Sequence, residues 1–288
     1  MSGKVCVVTG ASTGIGYVTA RELVRDGARV IGVGRSPERC ESAARRIREE
    51  TGSGAIDFLI ADLSSQAEIR RLVPEILAKA PRLDVLVNNA GGIFLSRETT
   101  ADGLEMTFAL NHLAYFLLTN LLIDHLKGSA PARIVCVASA AHQGVTLPFD
   151  NLNGEKSFSP WRAYQRSKLA NILFVRELAR RLEGTGVTVN ALHPGYVRTE
   201  IFRARGPAGW LMRRFADAFA ITPERGAETS VYLAASPEVE GVSGQYFYRK
   251  KPIAPSRAAL DDEAAKRLWQ VSEELTASSG SASGSGMA

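Results

Sequence analysis

Short apolar runs alternate with helical patterns along most of the chain. Residues 5–8, 28–33, 56–60, 83–87, 132–137 and 187–192 are brief, rich in β-branched residues and apolar at nearly every position. Such runs predict strands covered on both faces, as a parallel sheet requires. Between them, 15–25, 37–50, 66–80, 103–126 and 161–182 space their apolar residues as amphipathic helices do. Gly27 and Gly184 stand where helix ends fall. Regular βα alternation predicts an α/β chain: one domain, a doubly wound parallel sheet, helices on both faces. Crossovers in such sheets are right-handed, which makes 3-2-1-4-5-6 the expected strand order.

After the sixth strand the pattern changes. Residues 203–220 form a helical segment in which Trp210, Leu211, Met212, Phe215 and Phe219 lie beside Arg213 and Arg214. This suits a lid over an apolar substrate (about 200–222), an interfacial helix touching a membrane surface, or a core helix. Thr222-Pro223-Glu224 opens a further helix, with Thr222 as cap and Pro223 in the first turn. A seventh strand is expected at 244–247 and a last amphipathic helix at 256–275. Residues 278–288 are almost all Ser, Gly and Ala and predict a disordered tail, leaving 1–277 as the domain.

Composition narrows the class. Of 288 residues, 45% are hydrophobic and 23% charged, which excludes a wholly disordered chain. The net charge of +5, from 35 Lys and Arg against 30 Asp and Glu, is spread along the chain without a basic block. No nucleic-acid module accompanies it, so nucleic acid is not an expected partner. Cys6, Cys40 and Cys136 form no Cys-x-x-Cys pair, and two of them lie in strand-like runs, so neither disulfides nor structural zinc are expected. The start of the chain enters a strand directly, and no run of apolar residues is long enough to read as a spanning segment. A reducing, cytoplasmic setting is expected. The four histidines lack metal-ligand spacing, so no metal is assigned; His142 reads first as a loop histidine and second as a substrate contact.

The chemistry begins at Thr9-Gly10-Ala11-Ser12-Thr13-Gly14-Ile15-Gly16, between the first strand and the first helix. Gly10 permits a sharp turn, Gly14 leaves room for a pyrophosphate, and Gly16 permits close packing. Phosphates would meet unpaired N–H groups at the positive end of the helix dipole, the Rossmann device. Two further motifs follow in order: Asn88-Asn89-Ala90-Gly91 after the fourth strand, and Tyr164-x-x-x-Lys168 on a helix. Together they resemble the short-chain dehydrogenase/reductase superfamily, over residues from about 4 to about 250.

That resemblance implies an oxidoreductase moving hydride between a nicotinamide cofactor and a small carbonyl or alcohol. Tyr164 is the implied acid/base, and Lys168, one turn on, favours its ionisation and reaches the nicotinamide ribose. Ser139, just past the fifth strand, resembles the serine that polarises the substrate oxygen. Residues 142–160 between it and Tyr164 should form a loop beside the substrate. Asn111 resembles the helix asparagine that holds a water leading to the lysine. Asn89, Ala90 and Gly91 line the cofactor, Asn88 braces the sheet, and Pro194, Gly195, Val197 and Thr199 resemble the segment on the nicotinamide. Asp62 and Leu63 resemble the pair touching the adenine, although Asp62 also suits a turn cap.

At the end of the second strand, NAD-using relatives place an acid to bind the ribose; here Gly34 stands there and Arg35 follows. A guanidinium forks onto a phosphate, so the expected cofactor is NADP(H). Asn111-His112-Leu113, Ser167-Lys168-Leu169-Ala170-Asn171 and His193-Pro194-Gly195 look like the retinol dehydrogenase branch, whose substrates are lipophilic alcohols and aldehydes. Association through the Tyr-bearing helix and its neighbour is also implied. A regulator that binds NADP(H) without turnover usually loses the Tyr or the Lys, and both are present.

Overall fold

The six apolar runs form strands, with ends shifted by at most two residues from the expected positions. In a computed structural model, residues 1–195 and 222–277 are described. The strands are β1 (Val5–Thr9), β2 (Arg29–Gly34), β3 (Ile56–Ile60), β4 (Val85–Asn88), β5 (Ala132–Val137) and β6 (Val187–Leu192), followed by β7 (Tyr246–Tyr248) and β8 (Lys251–Pro252). The sheet runs β3-β2-β1-β4-β5-β6-β7-β8. Every neighbouring pair is parallel except β7 with β8. The short β8 has no apolar pattern of its own. It closes a hairpin through Arg249 and Lys250, both left-handed at φ 49° and 63°. That turn normally takes Asn-Gly, so the sequence hides it.

The helices are α1 (Gly14–Arg25), α2 (Pro37–Thr51), α3 (Gln66–Lys79), α4 (Met106–Gly128), α5 (Pro160–Arg181), α6 (Pro223–Ala235) and α7 (Asp262–Thr276). Alternate strand residues feed two cores. Val7, Ile31, Leu86, Ile134 and Val189 pack with α3, α4, α5 and α7 on one face. Val8, Val30, Val85, Val135 and Leu192 pack with α1, α2 and α6 on the other. The sheet is therefore covered on both sides, which is why its strands carry no polar stripe.

Three expectations change. Helix α4 begins at Met106 rather than 103, because the buried carboxylate of Glu105 caps it, accepting from the N–H groups of Thr107 and Phe108 at 2.8 Å each. Its Ala109–Leu113 stretch is a wide π turn carrying Asn111. The same helix is long and apolar enough to span a membrane by length and composition, yet most of it is buried within the fold. The last helix is two pieces: a turn at Arg257–Leu260, then α7, capped by Asp261, which accepts from Ala264 N–H at 2.9 Å. Of the expected lid at about 200–222, all but Thr222 lies outside the described residues, as does the tail 278–288.

Helix α7 lies across α4 and α5. Trp269 packs edge-on to Phe116 at 4.9 Å and stacks on Phe174 at 5.9 Å, with Arg181 over its ring at 4.1 Å. His112, pushed down to about 4 by burial, joins Ser272 through Nε2 at 3.0 Å. Between Ser167 and Leu178 of α5, every residue but Arg176 is buried.

Asp84 immediately precedes β4 and is 2% exposed. Burial alone would raise its pKa, but hydrogen bonds from Arg82, Val5 N–H and Lys4 pull it below the usual carboxylate value. A depressed carboxylate stabilises the fold above its unfolded pKa, and that contribution disappears as pH falls through the folded value. Asp84→Asn should therefore cost about 1–3 kcal/mol at neutral pH. In denaturant titrations the gap to wild type should shrink on acidification; a gap that is constant with pH would contradict this account.

Candidate active site

The expected site residues gather at the carboxyl ends of the parallel strands. Gly10 follows β1, Arg35 follows β2, Asp62 follows β3, Asn89 follows β4, Ser139 follows β5 and Pro194 follows β6. This edge is where open parallel sheets bind ligands, because chain reversals leave a crevice there.

The glycine loop has the shape a dinucleotide needs. Gly10 is left-handed at φ 67° and Gly14 at φ 57°. A Cβ on Gly14 would meet nothing within 4 Å, so open space faces the loop there. A Cβ on Gly16 would lie 2.3 Å from Gly10 O and 2.4 Å from Asn89 Nδ2. Gly16 thus permits α1 to pack on the loop and on the β4 exit rather than on the sheet in general. Thr13 stands at the cap position of α1 without a side-chain hydrogen bond, whereas Ser36, Ser65, Thr222 and Asp261 cap α2, α3, α6 and α7. The first N–H groups of α1, next to partly exposed Ser12 and Ile15, are left for an anion.

The β4 exit is tied to this loop by Thr9, the first residue of the glycine motif, whose side chain the motif itself gives no role. Thr9 Oγ1 accepts from Asn89 N–H at 2.8 Å and from Ala90 N–H at 3.0 Å, and donates to Val87 O at 3.2 Å. Asn89 Nδ2 donates to Thr9 O at 2.8 Å. Asn88 Nδ2 donates to Thr119 Oγ1 at 2.9 Å, bracing β4 against α4.

Gly34 and Arg35 close the other end. A Cβ on Gly34 would lie 2.5 Å from Cys40 Sγ, so a larger residue there would have to push the Cys40 side chain aside. Arg35 is exposed and, among the described residues, pairs with no carboxylate. Asp62 behaves as the turn cap: its Oδ1 accepts from Ser64 N–H at 2.9 Å and Ser64 Oγ at 2.7 Å, and Leu63 is buried behind it.

The groups expected to handle the proton converge. Tyr164 and Lys168 share one face of α5, with Lys168 Nζ 5.6 Å from the Tyr164 ring centre. Lys168 is 4% exposed and donates to Val137 O at 3.0 Å; burial pulls its pKa down to about 8. Burial raises the Tyr164 phenol, and hydrogen bonding with Ser139 opposes that rise. Across the 142–160 loop, the Ser139 hydroxyl is thus close enough to Tyr164 to act on its phenol. The insertion is anchored: Asn153 accepts from Glu105 N–H at 2.7 Å and donates to Gly103 O at 3.2 Å, while Phe149 lies under Arg267.

Asn111 differs in detail from its implied role. Its Oδ1 accepts from Gly92 N–H at 2.8 Å, and its Nδ2 donates to Gly92 O at 2.9 Å and Ser167 Oγ at 3.0 Å. The side chain clamps the 89–92 loop beside Lys168, with both its N–H donors used within the protein. Ser167, adjacent to Lys168, was not singled out by spacing. Gly195 N–H donates to His193 Nδ1 at 3.2 Å, which sets the β6 exit. Val197 and Thr199 lie outside the described residues.

A family model described as short chain dehydrogenase matches residues 4–208. Human retinol dehydrogenase 14 is 48% identical over 291 residues, covering 96% of this chain and 87% of that protein. A solved structure of an uncharacterized protein from Mycobacterium paratuberculosis superimposes with TM-score 0.78 at 34% identity, covering 96% of this chain and 94% of the other. The Pseudomonas aeruginosa RhlG/NADP active-site complex superimposes with TM-score 0.69 at 28% identity, over 92% of this chain and 97% of that one.

Proposed function

The chain belongs to the short-chain dehydrogenase family and is an oxidoreductase of alcohols or carbonyls; from that premise we propose that it uses NADP(H) on a lipophilic aldehyde or ketone, with Tyr164 moving the proton. The observation that carries the reading is the pairing of Tyr164 with buried Lys168, which is tied to the end of β5, the strand that Ser139 follows.

The open space at Gly14 and the uncapped start of α1 fit a dinucleotide pyrophosphate. Gly10, Ser12, Thr13, Ile15 and Gly16 would hold it, with Asn89, Ala90 and Gly91 along the nucleoside, Asp62 and Leu63 at the base, and Pro194, Gly195, Val197 and Thr199 at the nicotinamide. The cofactor supplies the hydride. Ser139 orients the substrate oxygen: its Oγ accepts from Ala141 N–H at 3.1 Å, which leaves its own O–H free to donate. Tyr164 donates a proton to that oxygen in reduction, and Lys168 favours the phenolate left behind. Asn111 keeps the 89–92 loop against Lys168.

NADP(H) is favoured by Gly34, which brings no carboxylate to repel a 2′-phosphate, and by Arg35, whose exposed guanidinium is available to one. A neighbour solved as an NADP complex points the same way. The lipophilic substrate rests on relatives named as retinol dehydrogenases and on Trp210 and Phe215 in the expected lid. Self-association is part of the proposal as the resemblance implies it; α7, stacked through Trp269 on Phe174, covers part of the Tyr-bearing helix. A cytoplasmic setting is part of the proposal, supported by three buried free cysteines.

Cofactor absorbance with a panel of short and long aldehydes, ketones and quinones tests the reading. NADPH should outperform NADH, and long apolar aldehydes should give the highest kcat/KM. Arg35→Asp should invert the NADPH/NADH ratio of kcat/KM. Binding of NADPH with no turnover on the panel would favour a cofactor-binding regulator instead, and an unchanged ratio in the Asp variant would overturn the cofactor assignment.

A further inference from the structure

His142 is fully buried, one short turn beyond Ser139. Its Nδ1 lies 2.7 Å from Ser139 O, and Ser256 N–H points at its Nε2 from 3.0 Å, 114 residues away in the chain. A backbone N–H only donates and a carbonyl only accepts, so one tautomer serves both: the proton sits on Nδ1 and Nε2 is bare. Ser139 O also accepts from His142 N–H at 3.2 Å, and the ring stands edge-on to Tyr246 at 5.1 Å. The peptide that carries Ser139 is thus pinned through an imidazole to the arm that leads into α7. Ser256 in turn caps the following turn, accepting from Ala259 N–H.

We propose that His142 is a positioning residue: by joining the Ser139 carbonyl to the Ser256 N–H it fixes the orientation of the catalytic serine, and makes that orientation depend on the C-terminal arm. This rests on the reading of Ser139 given above. The imidazole stays neutral in the fold, since burial lowers its pKa. A neutral ring is what the Ser256 bond requires, because a protonated Nε2 would face another N–H donor.

Two side-chain amides separate the two bonds. Asn places its nitrogen near the Nδ1 position, keeping the Ser139 bond and losing Ser256. Gln places its oxygen near the Nε2 position, keeping Ser256 and losing Ser139. His142→Gln should lower kcat about tenfold, with cofactor affinity unchanged and a larger primary isotope effect from deuterated reduced cofactor. His142→Asn should keep more of kcat but raise hydrogen exchange in peptides spanning 253–260. His142→Phe, which retains ring packing on Tyr246, should show both effects. Ser256→Pro should match His142→Asn in exchange over 253–260, since φ at Ser256 is −62° and the substitution removes the N–H; Ser256→Ala controls for the lost cap.

Equal kcat and isotope effect in His142→Gln and wild type would overturn the proposal, as would unchanged exchange over 253–260 in His142→Asn. A loss confined to KM, or tracking thermal stability alone, would also overturn it. The exchange measurement needs no turnover. Failure of the wild-type enzyme on every substrate would therefore count against the functional reading, and not against the strap.

Discussion

Replacing Tyr164 by Phe is expected to cut kcat about a hundred- to ten-thousand-fold while leaving cofactor affinity within a small factor of wild type. The substitution removes one oxygen and keeps the ring, which stacks on Trp161 at 5.8 Å. Folding should therefore be little affected, so the lost rate reports proton transfer. Burial keeps the phenol above its ordinary pKa in the ligand-free protein, so Tyr164 is protonated at neutral pH and poised to reduce a carbonyl. Lys168 is the group that titrates in the working range, pulled down to about 8 by burial. kcat/KM reports the free enzyme, so its alkaline limb for reduction should begin near that value, as Lys168 loses the charge that would stabilise the phenolate. Steady-state rates across pH, with cofactor binding followed by fluorescence, check both parts. Retention of more than half the wild-type kcat in the Phe variant would remove Tyr164 from the chemistry.

The parts of this site that were legible in the sequence are those written in local spacing. Tyr164 and Lys168 are four apart on one helix face, and the glycines sit at a strand-to-helix junction; periodicity and turn chemistry suffice for both. Strand order followed from βα alternation and the hand of the crossovers. What spacing did not carry depends on contacts between distant segments. His142 looked like a loop residue because its partner, Ser256, lies 114 positions away. The covering of α5 by α7 rests on Trp269 meeting Phe116 and Phe174, three ordinary apolar positions in their own helices. The π turn at Ala109–Leu113 has no pattern that distinguishes it from regular helix, and the cap that starts α4 is a glutamate, an uncommon choice. Asn111 was chosen by resemblance, yet its partners, Gly92 and Ser167, could be found only once loop and helix were placed together.

Gly16→Ala should run against the usual rule for helices. Alanine within a helix ordinarily stabilises by about 0.5–1 kcal/mol relative to glycine, because it restricts the unfolded chain. Gly16 lies in α1, so propensity alone predicts a gain. The added methyl, however, would sit 2.3 Å from Gly10 O and 2.8 Å from Gly10 C, backbone atoms that cannot swing aside. It would also press on Asn89 Nδ2 at 2.4 Å, whose bond to Thr9 O joins the two loops that would grip the cofactor. Either α1 shifts outward or the Thr9–Asn89 link opens. An expected loss of about 1–3 kcal/mol in folding stability follows from the forced overpacking, and cofactor affinity should fall with it because the N–H groups of α1 leave their positions. Gly14→Ala is the contrast. Its methyl meets open space, but φ of 57° strains an L-residue by about 1–2 kcal/mol, and the group projects where the pyrophosphate would approach. Both variants should weaken NADPH binding. Addition of saturating NADPH should raise the melting temperature of wild type far more than that of either. A Gly16→Ala protein that is more stable than wild type and binds NADPH normally would show that the loop adapts, and would dissociate the packing of α1 from cofactor binding.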